Sequence, residues 1–537
     1  MKKRFNSKPT IEHSLSVNAK ECIRAVSYIG KKGYTIPKVN LPKLEEDFLK
    51  KDLFVKPVVP GASFGNASEQ STAFPVYREN NNKIYLPRFY GIQRYGVPDK
   101  CDMQIGDPIN VPFVLPLRDY QEQIVDIYCK HVSNPLSSEN LNNGGGGILE
   151  VPCGRGKTIM ALKIISILST KTLILVHKEF LMNQWIERMT DFLPSARIGK
   201  IQGKVFDIEN KDVVIGMIQS LYDKDYAPDA FSSFGLTVID EVHRIGSEQF
   251  SRTLFKTITP YMLGISATVD RKDKLTRVLH MFIGNKIYEE ARDDGDPVCV
   301  RAIQYISPDP EFNAVELDFR GNTKYSTMIV KLCAFGPRSD FIIRVLGDLL
   351  DEHPDNQIMI LCHNRSLLTY LHDAINYREL ASVGYYIGGM KQVKLQETET
   401  KKIVLATYAM AAEALDIKSL TTLVMVTPKT DIIQSVGRIL RVKHKHPIVV
   451  DIVDTHDNFQ KQWIQRRRFY KKCNYRIRIT DSNKYTNMAL DWDTDTTWKR
   501  VYEPKQITEG GDNAYNEPDE NNEKTYQGTC LINFGTL

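Results

Sequence analysis

Four short apolar runs, TLILV (172–176), VVIGM (213–217), LTVID (236–240) and MLGIS (262–266), are separated by segments long enough for helices. Runs that are apolar throughout, not at every second residue, belong to strands buried on both faces. That is the condition of a parallel sheet covered by helices. The pattern returns with IMILC (358–362), IVLAT (403–407), TLVMV (422–426) and IVVDIVD (448–454). A chain of 537 residues, 42% of them hydrophobic, can fill two such cores. The reading is α/β, with two tandem parallel-sheet lobes joined between about 290 and 330. Residues 1–110 are rich in Pro, Gly, Asn and aromatics and read as a small β-rich domain of short strands and turns. After about 480 the chain turns polar, and ITEGGDNAYNEPDENNEKTYQG has the composition of a disordered tail. The glycine run Gly144 to Gly147 reads as a flexible loop ahead of a strand.

Nine cysteines are scattered with no C-x-x-C pair, so neither a zinc site nor a disulfide framework is indicated. The start, MKKRFNSKPTIEHS, has basic residues and no apolar stretch behind them, unlike a secretory signal. The apolar runs are too short to span a bilayer. A soluble, intracellular protein in a reducing compartment, with no membrane partner, is expected. Net charge is only +6. The charge is uneven, however: Lys461 to Arg478 holds eight basic residues, no acid and four interleaved rings. Such a segment suits phosphates and stacked bases, and suits a solvated helix face equally well. Tyr85, Arg88, Tyr90 and Tyr95 present the same choice, and aromatics in a small β-rich domain favour the core.

The stretch ILEVPCGRGKT ends in Gly-Lys-Thr, but a standard phosphate loop reads G-x-x-x-x-G-K-[ST], and the first glycine is replaced by Val151. Val151, Pro152, Cys153, Gly154, Arg155, Gly156, Lys157 and Thr158 lie between an apolar strand and a helical pattern. Glycines there let backbone N–H groups turn around a phosphate, and the helix start adds its positive end. Lys157 would reach the β and γ phosphates, and Thr158 would place its hydroxyl on Mg²⁺. LTVIDEVHR ends a strand with two acids: Asp240 for Mg²⁺ and Glu241 to orient and deprotonate water, with His243 linking to the neighbouring lobe. QSVGRILR supplies Gln434, Arg438 and Arg441; the two arginines are three apart and share a helix face.

In order along the chain, these pieces resemble the superfamily 2 helicases, from about Phe113 to Arg478. The resemblance implies two RecA-like lobes, ATP and Mg²⁺ as cofactors, and nucleic acid as partner. LRDYQ (117–121) is similar to the adenine-reading element, with Gln121 on the base. LVHKEFLMNQW and IGMIQSL resemble strand-contacting motifs, which points to Lys178, Gln184, Gln219 and Ser220. Ser266, Ala267 and Thr268 resemble the triplet that couples hydrolysis to lobe movement. YIGGMK, IVLATYAMAAEALDI and TPKTDIIQSVGRILR resemble second-lobe motifs, with Gly388, Gly389 and Thr407 on the strand and Asp416 toward the nucleotide. The Pro-Cys-Gly-x-Gly-Lys loop is similar to the XPB-like branch, in which the first glycine is dispensable. Helicases of phages and large cytoplasmic DNA viruses, including the poxvirus transcript-release factor, share these features. Ala414 and Lys418 depart from the fifth motif's usual glycine and proline, and Lys272 stands where XPB-like proteins have an acid.

The expected organisation is a 1–110 accessory domain, a 111–295 ATP-binding lobe, a 296–480 second lobe and a 481–537 tail. The expected activity is ATP-driven movement on DNA in preference to RNA, within transcription or repair machinery, by a protein for which a monomer suffices. A viral protein would work in the cytoplasm, in a factory or virion, and a cellular one in the nucleus. The alternatives are an RNA helicase or transcript-release factor, a restriction-type translocase subunit, and an ATP-gated scaffold without turnover. Lys157→Ala is expected to abolish steady-state ATP hydrolysis, and retained turnover would remove the phosphate-loop assignment.

Overall fold

The computed structural model describes residues 15–57, 73–133, 144–152, 155–227, 229–242, 248–267, 269, 275–290, 298–413, 417, 419–430, 432, 436, 447–485, 497–504 and 528–530. It divides into two compact units: one holds the described residues up to Pro152, those from Gly156 to Glu290 and Gly528–Cys530, and the other holds Arg155 and the remaining residues after 290. No helix among the described residues is long and apolar enough to cross a membrane.

The first unit is built on a nine-stranded sheet. Its order by first residue is Val205, Ile198, Val213, Thr172, Leu236, Tyr261, Gly145, Lys286, Gly528. The seven inner strands run parallel, and Val205–Phe206 and Gly528–Cys530 pair antiparallel at the two edges. Thr172–Val176 and Leu236–Asp240 are buried along their whole length, as continuous apolar runs require.

The glycine run corrects the flexible-loop reading. Gly145–Glu150 is an inner strand, paired with Tyr261–Ser266 on one side and Lys286–Glu290 on the other. A Cβ on Gly146 would stand 2.2 Å from the Ile283 carbonyl oxygen and 2.7 Å from the Phe89 ring. Glycine is needed there for close approach, not for mobility.

Phe89 belongs to the helix Arg88–Tyr95, which closes a five-stranded N-terminal sheet. This sheet and helix share one hydrophobic core with the large sheet, since Ile29, Tyr34, Ile84 and Phe89 cluster with Ile148, Leu173 and Val278. Arg88 is fully buried and its Nη1 donates to the carbonyls of Pro260 at 2.6 Å and Thr259 at 3.2 Å. Burial pulls its pKa down to about 10. Tyr90 donates to Asp52 at 2.8 Å, and Asp52 accepts from Arg277 at 2.9 Å. Arg88, Tyr90 and Tyr95 are therefore core, as the composition favoured.

The second unit carries an eight-stranded sheet, in the order Val383, Ile403, Gln357, Leu420, Ile448, Cys299, Arg476, Lys499. All but the last strand run parallel. Arg338 and Asp454, both fully buried, pair at 2.6 Å, and Arg338 also donates to the Val426 carbonyl at 2.9 Å. Two stretches of the polar tail are strands: Lys499–Tyr502 extends this sheet, and Gly528–Cys530 extends the other.

The basic aromatic segment is half core. Helix Asp457–Lys472 buries Phe459, Trp463, Arg466 and Tyr470, which share one face at helical spacing. Arg466 is 1% exposed and pairs with Asp451 at 2.7 Å, and Tyr470 donates to the same carboxylate at 3.1 Å. Arg478 is buried against Glu503. Lys461, Arg468, Lys471 and Lys472 remain exposed. Arg466→Ala, which strands the Asp451 charge, is expected to cost about 3–5 kcal/mol of stability. Chemical denaturation checks this, and an unchanged midpoint would return Arg466 to the surface. Gly146→Ala is expected to cost at least about 1–3 kcal/mol, whereas Gly347→Ala, on a helix with open space at its Cβ, is expected to cost nothing. Equal melting temperatures for the two variants would contradict the packing argument.

Candidate nucleotide site

In a parallel sheet, side chains that meet a ligand gather beyond the carboxyl ends of the strands. In the first unit three neighbouring strands end together, with Ser266 beside Glu150 and Asp240 beside Ile265. The phosphate-loop strand then leaves the sheet. Its continuation is tied back, because Val151 N–H donates to the Ser266 carbonyl at 2.9 Å.

Gly156 is the turning point. Its φ of +79° lies in the left-handed region, and it caps the helix Lys157–Leu168. A Cβ there would stand 2.3 Å from Nε2 of Gln121. Gln121 is itself buried, with Oε1 accepting from Arg118 N–H at 3.1 Å. The amide read as the base contact and the loop read as the phosphate cradle therefore touch. Arg155 is buried, while Pro152, Lys157 and Thr158 are half-buried at the head of the helix.

Asp240 ends its strand with 6% exposure, and its Oδ2 accepts from Trp185 Nε1–H at 2.9 Å. Burial first, and the neighbouring Glu241 charge second, push its carboxyl up to about 7; the Trp185 hydrogen bond and the Lys157 ammonium pull the other way. Glu241 follows at φ +52°, a left-handed conformation uncommon for a side-chain-bearing residue, of the kind that collects at working sites. Two adjacent carboxylates at a dry strand end are a donor set short of positive charge. That chemistry fits Mg²⁺ on Asp240 and Thr158, with triphosphate on Lys157.

The other first-unit residues keep to the same edge. Lys178 caps the helix Glu179–Phe192 two residues after a strand ends, and Gln184 is half-buried on that helix. Gln219 is exposed on the helix after Val213–Met217, and the Ser220 hydroxyl accepts from Gly203 N–H at 2.9 Å. Ser266 is fully buried and Ala267 is half-buried.

The second unit repeats the device. Gly388 and Gly389 follow one strand, and Thr407 ends the next, paired with Cys362. Arg365 donates to the Gly388 carbonyl at 2.9 Å and fixes that turn. His363, just past Cys362, lies 3.0 Å from the Thr427 hydroxyl and 4.6 Å from the Tyr408 ring centroid. Burial, aided by Lys429, pulls its pKa down to about 4. Cys153, Gly154, His243, Thr268, Asp416, Gln434, Arg438 and Arg441 lie outside the described residues, as do Lys272, Ala414 and Lys418.

The sequence reading assigned no role to Trp185, Arg365 or His363. Trp185 stands at a buried helix position where a tryptophan reads as packing. His363 has a visible signal: LVHKEFL and LCHNRSLL both run from strand through histidine to a basic residue at a helix start.

Comparison with known proteins matches residues 114–271 to the family described as type III restriction enzyme, res subunit, and residues 342–443 to the helicase conserved C-terminal domain. A protein of Acanthamoeba polyphaga mimivirus, named as a candidate ATP-dependent RNA helicase (L396), is 33% identical over 477 residues, covering 86% of this chain and 89% of that protein. An African swine fever virus protein with the same kind of name, QP509L, is 28% identical over 492 residues, covering 84% and 92%. The DNA 3'-5' translocase XPB2 of Sulfurisphaera tokodaii is 24% identical over 416 residues, covering 68% and 89%.

Trp185→Phe keeps the ring and removes the hydrogen bond to Asp240. Loss of a partner that orients a metal-holding carboxylate typically costs about 10–100-fold in activity. The variant is expected to fold normally and to lose ATP turnover on that scale, with a raised Mg²⁺ requirement. Unchanged turnover at low Mg²⁺ would contradict the role.

Proposed function

We propose, from the premise that this chain belongs to the superfamily 2 helicases and hydrolyses ATP, that it is a motor that moves along a nucleic-acid strand. The observation that carries this reading is the Gln121, Gly156 and Asp240 arrangement at one strand edge, with Trp185 donating to Asp240 at 2.9 Å. ATP would lay its phosphates along the loop from Gly154 to Lys157. Mg²⁺, held by Asp240 and Thr158, supplies Lewis-acid charge to the β and γ phosphates when bound. Glu241 orients the attacking water and takes its proton. The phosphoryl group in transfer carries charge that Lys157 alone does not balance. Arg438 and Arg441, with Gln434, are the proposed further donors, worth about 10³–10⁵ in rate where such arginines act. Ser266, whose carbonyl holds Val151, ties the strand edge to the loop and is suited to pass on the nucleotide state.

Strand contacts are assigned to Lys178, Gln184, Gln219 and Ser220 in the first unit and to Gly388, Gly389 and Thr407 in the second. Arg365 positions the Gly388 turn, and His363, on Thr427 and against Tyr408, fixes the chain beside Thr407. Backbone contacts carry little sequence information, so binding is expected to be sequence-independent and salt-sensitive. The XPB-like phosphate loop favours DNA. The names of the mimivirus and African swine fever virus relatives point to RNA and weigh against that preference. A place in viral transcription follows from an RNA strand, and one in repair from DNA.

The test is steady-state ATPase activity of the full chain with single-stranded DNA, duplex DNA, single-stranded RNA or no nucleic acid. Stimulation by at least one strand is expected, and the strongest activator names the substrate. Equal turnover with and without every nucleic acid would contradict the motor reading.

A further inference from the structure

The N-terminal sheet has two unlike faces. One carries Ile29, Tyr34, Ile36, Ile84 and Leu86, all buried in the shared core. The other is set by strand register. Arg78 pairs with Tyr85, Tyr85 with Thr35, Thr35 with Tyr28, and Tyr28 with Lys100. Laterally paired residues share a face, so these five form one row across all five strands, about 19 Å long at strand spacing. Lys83, two residues from Tyr85, lies on the same face.

The row gathers positive charge on aromatic rings. Lys83 Nζ stands 5.2 Å and Lys100 Nζ 5.3 Å from the Tyr28 ring centroid, and Lys83 also donates to the Tyr28 hydroxyl at 3.0 Å. Lys32, from the two-residue turn between Gly30 and Gly33, stands 5.0 Å from the Tyr85 ring. Lys31 and Lys32 are both exposed. The acid on this side is Asp102, 3.3 Å from Lys100. Glu79 pairs laterally with Ile84, on the other face, and is engaged by Lys38 at 2.6 Å and Lys50 at 2.8 Å. A merely solubilising surface mixes both signs. Here three ammonium groups are held over rings, which restrains their side chains, and with Asp102 as the acid beside Lys100 the row keeps a net positive charge.

We propose that this face is a second nucleic-acid surface, in which Lys32, Lys83 and Lys100, placed by Tyr28 and Tyr85, hold the phosphate backbone of the strand that activates the ATPase. It rests on the motor reading for its ligand and adds a grip outside the two parallel-sheet units' strand edges. Charge complementarity selects a polyphosphate backbone, and the straight row suits one extended strand. Of the four residues weighed as a platform in the sequence, only Tyr85 lies on this face; it is buried at 9% exposure, as is Thr35 at 1%, so Tyr85 serves to place Lys32 and the lysines make the surface.

The test uses the full chain and a fluorescent single-stranded oligonucleotide of the activating type, titrated from 50 to 300 mM salt. Each phosphate contact on a single strand contributes about 0.7 to the slope of log affinity against log salt. The triple variant Lys32→Ala, Lys83→Ala, Lys100→Ala is expected to flatten that slope by about two and to weaken low-salt binding at least about tenfold. ATPase activity at saturating strand and the melting temperature are expected to stay near wild type. An unchanged slope overturns the proposal, as does poly-glutamate displacing the strand at equal charge concentration, which would mark an acidic protein partner. Absence of strand-stimulated ATPase in the wild type would instead sink the motor reading, a separately readable result.

Discussion

A carboxylate at the end of an inner strand, almost closed to water, is costly unless something holds it. At Asp240 that something is the Trp185 indole N–H, with the Lys157 ammonium as a balancing charge. The rest of the first unit is arranged to make this possible. The strand must be buried to dry the site, and it is buried along its whole length. The adjacent loop must come back over the same edge, so Val151 is bonded to Ser266 and Gly156 takes a left-handed turn against Gln121. Two adjacent carboxylates, Asp240 and Glu241, and the Lys157 ammonium thus act on one another at this strand end.

The second unit solves the same problem of presenting polar groups from the ends of a buried sheet. Its strands end in Cys362, Thr407 and the Gly388 turn, and local bonds from Arg365 and His363 set their geometry. Among the described residues the unit's buried arginines are paired: Arg301 with Glu352, Arg338 with Asp454, Arg466 with Asp451 and Arg478 with Glu503. Those arginines serve the fold and leave the outer lysines and Arg468 to meet solvent. In the first unit, Arg88 plays the corresponding role by anchoring the N-terminal helix on two main-chain carbonyls of the large sheet's scaffold.

Much of the fold was legible because fully buried parallel strands are continuous apolar runs. TLILV, VVIGM, LTVID, IVLAT and IVVDIVD correspond residue for residue to strands. The strand, turn and helix around Gly156 were legible because an apolar strand pattern, glycines and a helical pattern follow one another there. What escaped was anything decided by a distant neighbour. Gly145 to Gly147 form a strand because Ile283 and Phe89 crowd them, and composition cannot show crowding. Arg466 reads as a surface cation until Asp451 is placed beside it. Trp185 reads as packing until its N–H is seen to point at a carboxylate. The edge strands of the tail are too short and polar for periodicity, since backbone pairing alone makes them.

On the proposed function, a nucleotide held at Lys157 and Asp240 governs the grip on a nucleic-acid strand. The most direct measurement is the strand's dissociation constant with a non-hydrolysable ATP analogue, with ADP and with no nucleotide, at one fixed salt concentration. Coupling of the usual size gives a difference of about 5–150-fold between nucleotide states. A difference in that range is expected; identical affinity in all three states would uncouple the nucleotide from the strand and rule the motor out.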